Sequence, residues 1–379
     1  MWKGTISVVE EKSIPFNMFL NFQSEVPTGY FLNGNEQTPI PEIFKKGDSL
    51  SILFSEFSAA MLGIWTGKEW KGKFFRYRSD TTWNSFIASP PEEEKPKSQD
   101  DQKTPTLVGK YQAYFQDENA IDSSTTANFW IRQDSIYGTL VAPDGDYGLL
   151  VGIQTGSHIT LTRFTGWQAF ILELEEQDNS WKGSLYARSG KPRRLTLIPK
   201  IHPAIELKSS ELTTKINPKA PFTFSGINPN GQIINSTDSR FKEKVLIIDI
   251  MGTWCHNCMD AAPLLQQLYS EFNKDGLEII GLAFEISDNR ELAIKNLSLF
   301  QRRYNISYPL LFCGSTKESN VKERIHSQLK NFGGYPTTIF VNKTGLVHEI
   351  HVGFKGPATG EEYQQQVQQF YSTIKLLLK

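Results

Sequence analysis

The feature that most constrains this chain is an apolar run, Lys244-Val-Leu-Ile-Ile-Asp-Ile, leading into Trp254-Cys255-His256-Asn257-Cys258. A run so nearly continuous in aliphatic residues suits a parallel strand covered on both faces. Residues His256 to Asn273 then carry apolar side chains at helical spacing. The two cysteines therefore fall where a buried strand hands over to a helix. A thiolate at a helix N-terminus is stabilised by the macrodipole and by unpaired amides, which lowers its pKa and makes it a nucleophile near neutral pH. Cys255, at the helix start, is the candidate attacking thiol. Cys258, one turn in, is placed to resolve the resulting mixed disulfide.

The second half continues the alternation of strands and helices. Leu277 to Phe284 reads as another buried strand, Asp288 to Tyr304 as an amphipathic helix, and Pro309-Leu-Leu-Phe-Cys as a short strand. A helix is expected near Val321 to Asn331. Thr337-Thr-Ile-Phe-Val and Leu346-Val-His-Glu-Ile-His-Val flank an Asn342-Lys-Thr-Gly turn, and Glu361 to Lys379 closes the chain as a helix with its acidic residues first. This is a βαβ-type α/β domain spanning 221–379.

The first half has a different texture. Seven of the eight tryptophans precede residue 182. Short β-branched and aromatic runs, such as Asn128-Phe-Trp-Ile-Arg and His158-Ile-Thr-Leu-Thr-Arg-Phe, are separated by Gly, Asn, Asp and Pro, the pattern of an antiparallel all-β domain, barrel or sandwich, over 1–205. Trp-Lys-Gly recurs at Trp2, Trp70 and Trp181, where a glycine two residues past a tryptophan suits a bent strand opening. Residues 90–106 hold no apolar side chain but proline over most of their length and read as an exposed, mobile loop. Residues 206–220 read as a linker between the domains.

Composition removes several classes of function. A net charge of -1 lacks the basic excess of a nucleic-acid surface. No stretch approaches the roughly 20 apolar residues of a membrane-spanning helix. Three cysteines do not make a disulfide-stapled scaffold. A zinc site on the Cys255–Cys258 pair would need a second ligand pair. None exists as Cys-x-x-Cys, and His326, His348 and His351 do not give the usual spacing. Cys313, ending an apolar run, reads as a buried small hydrophobe, and Met251 and Met259 as packing around the motif.

Four motifs in order resemble the thioredoxin superfamily, and more narrowly the TlpA/ResA-like thiol–disulfide oxidoreductases of bacterial envelopes. They are Asp249, six residues before Cys255; Trp254 with the Cys-x-x-Cys; Pro263, five residues past Cys258; and Gly334-Tyr335-Pro336-Thr337. The resemblance covers about residues 216–379 and implies a cis-proline loop at Pro336 that turns the chain against the cysteine pair. It also implies that the Tyr335 backbone pairs with an incoming substrate strand. Asp249, alone in an apolar strand, should have a raised pKa and accept a proton from Cys258. Pro263 implies a kink tolerated for geometry.

The departures from that pattern are specific. Many ResA-like proteins carry a glutamate where this chain has Ala261, and Glu285, at the carboxyl end of its strand, is the candidate to stand in. His256-Asn257 replaces the thioredoxin Gly-Pro; a protonated imidazole there would favour the Cys255 thiolate and a more oxidising pair.

The first half carries a weaker likeness, through Gly145-Asp146-Tyr147-Gly148 and Phe164-Thr-Gly-Trp-Gln-Ala-Phe, to β-rich segments preceding such domains, for which partner recognition or self-association is the expectation. The start, Met-Trp-Lys-Gly, lacks an apolar leader, whereas the resemblance implies the periplasm or cell envelope; with Met1 as the native start the reading is cytoplasmic. The expected activity is protein-disulfide reduction without a bound cofactor, supplied by an electron-donor thiol protein. The rival reading is copper(I) handling on the same cysteines, with Met259 or His351 as a further ligand.

Overall fold

Alternation of apolar and polar side chains along the first half, as in His158–Phe164 where Ile159 and Leu161 point inward, forces antiparallel pairing with one face in a core. In the computed structural model, which describes residues 1–8, 12–77, 81–91, 106–117, 120–187, 191–200, 214–317, 325 and 327–379, the chain forms two compact units. The first comprises Met1–Ala142 with Tyr147–Ala204, and the second Pro143–Asp146 with Ile205–Lys379. The loop expected at 90–106 and the linker expected at 206–220 fall largely on residues 92–105 and 201–213, outside the described residues.

The first unit contains two antiparallel sheets. Nine strands between Trp2 and Ser89 form an open sheet whose edges are Glu36–Pro39 and Glu42–Lys46. The other sheet closes on itself: Gly109–Asp117 pairs with Arg193–Pro199, joining the ends of an eight-strand circuit among the described residues. The barrel interior is filled by Phe115, Phe129, Leu140, Leu161, Leu172 and Trp181 among others, so it is a packed core.

Two of the three Trp-Lys-Gly repeats open strands, at Trp2 and Trp70, and the third, Trp181, is the second residue of its strand. Their glycines have a steric reason. A Cβ at Gly72 would stand 2.8 Å from the Leu62 carbonyl carbon, and one at Gly183 would stand 2.8 Å from that of Glu173. Both positions admit only a residue without a side chain.

The two sheets are joined by a buried polar knot. Arg163, 1% exposed, donates from Nη1 and Nη2 to the Glu36 carboxylate at 2.6 and 3.0 Å, from Nη1 to the Leu149 carbonyl at 3.0 Å and from Nε to Gln168 Oε1 at 2.8 Å. Beside it the Asn33 amide donates to the Phe164 carbonyl and accepts from the Phe164 N–H, both at 3.1 Å. The Phe164 ring packs against Phe16 and Phe31 at 5.1 and 4.9 Å between centroids.

In the second unit, strands are numbered β1 (Ser225–Ile227), β2 (Ile233–Asn235), β3 (Val245–Met251), β4 (Leu277–Glu285), β5 (Leu310–Ser315), β6 (Thr337–Val341) and β7 (Val347–Val352). Helices are α1 (His256–Phe272), α2 (Arg290–Arg303) and α3 (Glu361–Leu378). The sheet order is β2-β1-β5-β4-β3-β6-β7, with β3 parallel to β4 and antiparallel to β6. All seven residues of β3 are buried, as an aliphatic run between two paired strands requires. The helix expected near 321–331 is not formed where its end is described. Leu329–Lys330 instead pairs as a strand with Thr214–Lys215, so edge pairing overrides helical spacing there; residues 321–324 and 326 lie outside the described residues.

Removing Glu36 would take from the buried Arg163 guanidinium the carboxylate that accepts two of its hydrogen bonds. Glu36→Ala should destabilise the β-rich unit by about 3 kcal/mol. Urea denaturation followed by tryptophan fluorescence, which reports this unit through seven of the eight tryptophans, checks it, and an unchanged midpoint contradicts it.

Candidate active site

The junction between β3 and α1 positions both cysteines. Cys255 is the N-cap of α1, in extended conformation, and its Sγ accepts from the Cys258 N–H at 3.2 Å. Its carbonyl accepts from the Met259 N–H at 3.2 Å, the first bond of the helix. Cys255 and Cys258 are joined as a disulfide, with Cα atoms 5.2 Å apart. Cys255 is 6% exposed and Cys258 1%, so the first sulfur is the one nearer solvent. Pro263, inside α1 and at its exposed surface, has no N–H for the Met259 carbonyl one turn back.

The turn before Cys255 is held from β4. Glu285, 2% exposed, accepts from the Thr253 N–H at 2.9 Å and from the Thr253 hydroxyl at 2.8 Å. Glu285 thus reaches the site through Thr253, two residues before Cys255. The Trp254 indole N–H donates to the Phe284 carbonyl at 2.8 Å. Its ring meets Tyr335 edge-on at 5.5 Å, and Tyr335 in turn meets Phe332 at 5.3 Å.

Tyr335–Pro336 is a cis peptide bond. The Pro336 carbonyl accepts from the Gly353 N–H at 2.7 Å, and the Thr337 hydroxyl donates to the Gly334 carbonyl at 2.7 Å. Thr337 therefore braces the proline loop from within. Burial raises the Tyr335 phenol above its ordinary range.

Asp249 lies in β3, 3% exposed, opposite Thr338 of β6. Burial pushes its carboxyl up to about 7, a rise that Thr338 tempers. The Thr338 hydroxyl and Asp249 Oδ1 nevertheless make no hydrogen bond of ordinary geometry among the described residues. Tyr308, 2% exposed, is the neighbour that sequence alone does not reveal; burial first, and the Asp249 charge second, hold its phenol protonated well above the usual range.

The dipeptide between the cysteines is engaged on both residues. His256 Nε2 lies 3.3 Å from Asp260 Oδ2, one helical turn on. The Asn257 amide donates to the Asp144 carbonyl at 3.1 Å, within the Pro143–Asp146 segment of this unit. Thr253 and Asp144 carry no sequence signal, and Asp146 carries none that places it at this site. Each is an ordinary polar residue until folding brings it to the motif.

The remaining candidates are structural. Cys313 is a buried thiol outside the disulfide, at 2% exposure. Met251 and Met259 are buried at 1% and 4%. Ala261 is buried in α1. His351 packs its ring against Phe340 and Phe370 with Nε2 3.2 Å from Glu349, so that nitrogen faces a carboxylate in an aromatic setting.

Residues 216–350 match the AhpC/TSA family. A thiol-disulfide oxidoreductase ResA of Bacillus cereus is 29% identical over 126 residues, 33% of this chain and 65% of that protein's length. The ResA of a second Bacillus cereus strain is 27% identical over 169 residues, 44% of this chain and 82% of its own. A crystal structure of a thiol:disulfide interchange protein of the thioredoxin family from Chlorobium tepidum aligns with 22% identity and a TM-score of 0.33, covering 44% of this chain and all of that one. The second unit is a thioredoxin-like domain, and its sequence relatives are thiol–disulfide oxidoreductases.

Burial of Asp249 has a sign that can be checked. Its folded pKa of about 7 exceeds the ordinary carboxyl value of 3.8, so between these the folded state holds a proton that the unfolded state has lost. Stability of this unit therefore falls as pH rises from about 4 to about 7 and levels off above. Asp249→Asn should remove that slope and raise stability at pH 8 by about 4 kcal/mol. Denaturant titrations of the oxidised protein at pH 5 and pH 8 measure it, and an unaltered slope in the variant refutes the assignment.

Proposed function

We propose that the chain is a thiol–disulfide oxidoreductase that reduces protein disulfides through Cys255 and Cys258. The observation that carries this reading is the cysteine pair itself, joined as a disulfide across the first turn of α1 with Cys255 as helix cap. In the dithiol form the cap amide and the helix dipole favour a Cys255 thiolate. That thiolate attacks one sulfur of the substrate disulfide, forms the Cys255–substrate bond and expels the other sulfur as a thiolate, which takes up a proton. Cys258 then loses its proton, attacks the Cys255 sulfur and releases the second substrate thiol. Two electrons have passed to the substrate and the Cys255–Cys258 disulfide is restored.

Asp249 is the residue proposed to take the Cys258 proton, because a buried carboxyl poised near 7 exchanges protons readily at neutral pH. Glu285 is proposed as a positioning residue, acting through Thr253 on the turn that sets Cys255. The backbone at Tyr335 is proposed to receive an extended substrate segment beside the disulfide, with the Trp254, Tyr335 and Phe332 rings as its apolar floor. No organic cofactor is needed for this exchange; a donor dithiol protein would re-reduce the pair. The relatives support an envelope location for the activity, as in the TlpA-like group, and the β-rich unit is proposed to select partners or self-associate. No helix among the described residues is long and apolar enough to cross a membrane.

Cys258→Ser should trap substrates as mixed disulfides on Cys255, visible as adducts on non-reducing gels that thiol reductants release. Wild type should catalyse insulin reduction with dithiothreitol, and Cys255→Ser should abolish it. A Cys258→Ser protein that captures no disulfide substrate would overturn the proposal.

A further inference from the structure

Three ligand-bearing side chains converge beside the cysteine pair that the redox chemistry does not use. Asp146, His256 and Asp260 each present one donor atom, and these atoms lie within 4.8 Å of one another. Asp146 is 5% exposed, while the His256 and Asp260 side chains are 13% and 24% exposed, so the group is sheltered without being sealed.

Two further observations shape this group. The Gly356 N–H donates to Asp146 Oδ2 at 2.5 Å and fixes that carboxylate, as outer-shell hydrogen bonds orient metal ligands. Gly356 also leaves the space into which both acids reach. A Cβ there would stand 2.5 Å from Asp260 Oδ2 and 2.9 Å from Asp146 Oδ2, so the two carboxylate oxygens meet over a bare backbone. Two carboxylate oxygens and one imidazole nitrogen drawn together at one point are donor types that a divalent ion accepts.

We propose that Asp146, His256 and Asp260 form a binding site for a divalent transition ion of the zinc class. One imidazole nitrogen and two carboxylate oxygens are a donor set zinc accepts, leaving a fourth position open. Bonds of about 2.0–2.2 Å would require the three donor atoms to close in from their present separations. The partly exposed His256 and Asp260 side chains can make that movement by changing rotamer. Because His256 is the residue after Cys255, an ion held there adds positive charge next to the attacking sulfur and favours its thiolate. Metal binding itself does not depend on the redox reading; only this consequence rests on it.

The test uses the full chain with Cys255–Cys258 oxidised, so that neither thiol can ligate. Calorimetric titration with Zn2+, with competition against a chromophoric chelator, should give one ion per chain. Binding should weaken by more than roughly tenfold in His256→Ala and in Asp260→Asn. Co2+ should show a visible spectrum of nitrogen and oxygen ligands without a thiolate charge-transfer band, and the Cys255→Ser/Cys258→Ser double variant should bind equally well. Oxidised wild type that fails to saturate with Zn2+, or His256→Ala that binds as tightly as wild type, overturns the site and leaves an ion-pair cluster only. Should the variants misfold, wild-type stoichiometry and the Co2+ spectrum still decide. Loss of insulin reduction with Zn2+ binding intact would count against the oxidoreductase reading and not against this site.

Discussion

The catalytic end of the molecule depends on one junction, where a strand buried on every residue gives way to a helix within a few residues. β3 can be wholly apolar but for Asp249 because β4 and β6 satisfy its backbone on both sides. That pairing fixes where Met251 ends, and the turn from Gly252 to Cys255 has little freedom left. A Cβ on Gly252 would stand 2.8 Å from the Phe284 carbonyl and from the Trp254 indole, in the path of the Trp254–Phe284 hydrogen bond. Glu285 then ties Thr253 to the end of β4. The sulfur of Cys255 is placed as helix cap by this rigid frame and not by contacts of its own.

How much of this could be read from the chain follows from the range of the forces involved. The β3 run, the α1 spacing and the Cys-x-x-Cys are local, and local periodicity together with continuous apolarity identifies them. The Asn342 turn is likewise local: Asn342 Oδ1 accepts from the Thr344 and Leu346 N–H groups at 3.0 Å each. The β-rich half is legible as an antiparallel barrel or sandwich, but the closure that decides between them is not. Closure is the pairing of Tyr111 with Pro199 and its neighbours, which no short window contains. The end of the helix expected near 321–331 is extended for a related reason, since Leu329–Lys330 finds a partner strand more than a hundred residues earlier.

The site divides along the same line. Cys255, Cys258, Asp249 and Pro336 announce themselves by residue type at fixed spacing. Tyr308, Thr253 and Asp146 do not, because a phenol, a hydroxyl and a carboxylate are common residues whose importance lies only in what faces them. Tyr308 illustrates the cost of that blindness. It shares the interior with Asp249; burial opposes ionisation of both, and the Asp249 charge opposes that of the phenol further.

His256 shows how geometry revises a reading from position alone. Next to Cys255 in the chain, a protonated imidazole would lend its charge to the thiolate and draw the pair toward oxidation. In the folded domain its Nε2 turns down α1 to Asp260, and the Asp146 carboxylate converges on the same group. A charge balanced by a carboxylate one turn away contributes less at the cysteine than a free one, because the two fields oppose at the sulfur. The influence of His256 on Cys255 is thus set by the carboxylates that its ring faces in the folded domain, and not by its place in the dipeptide alone.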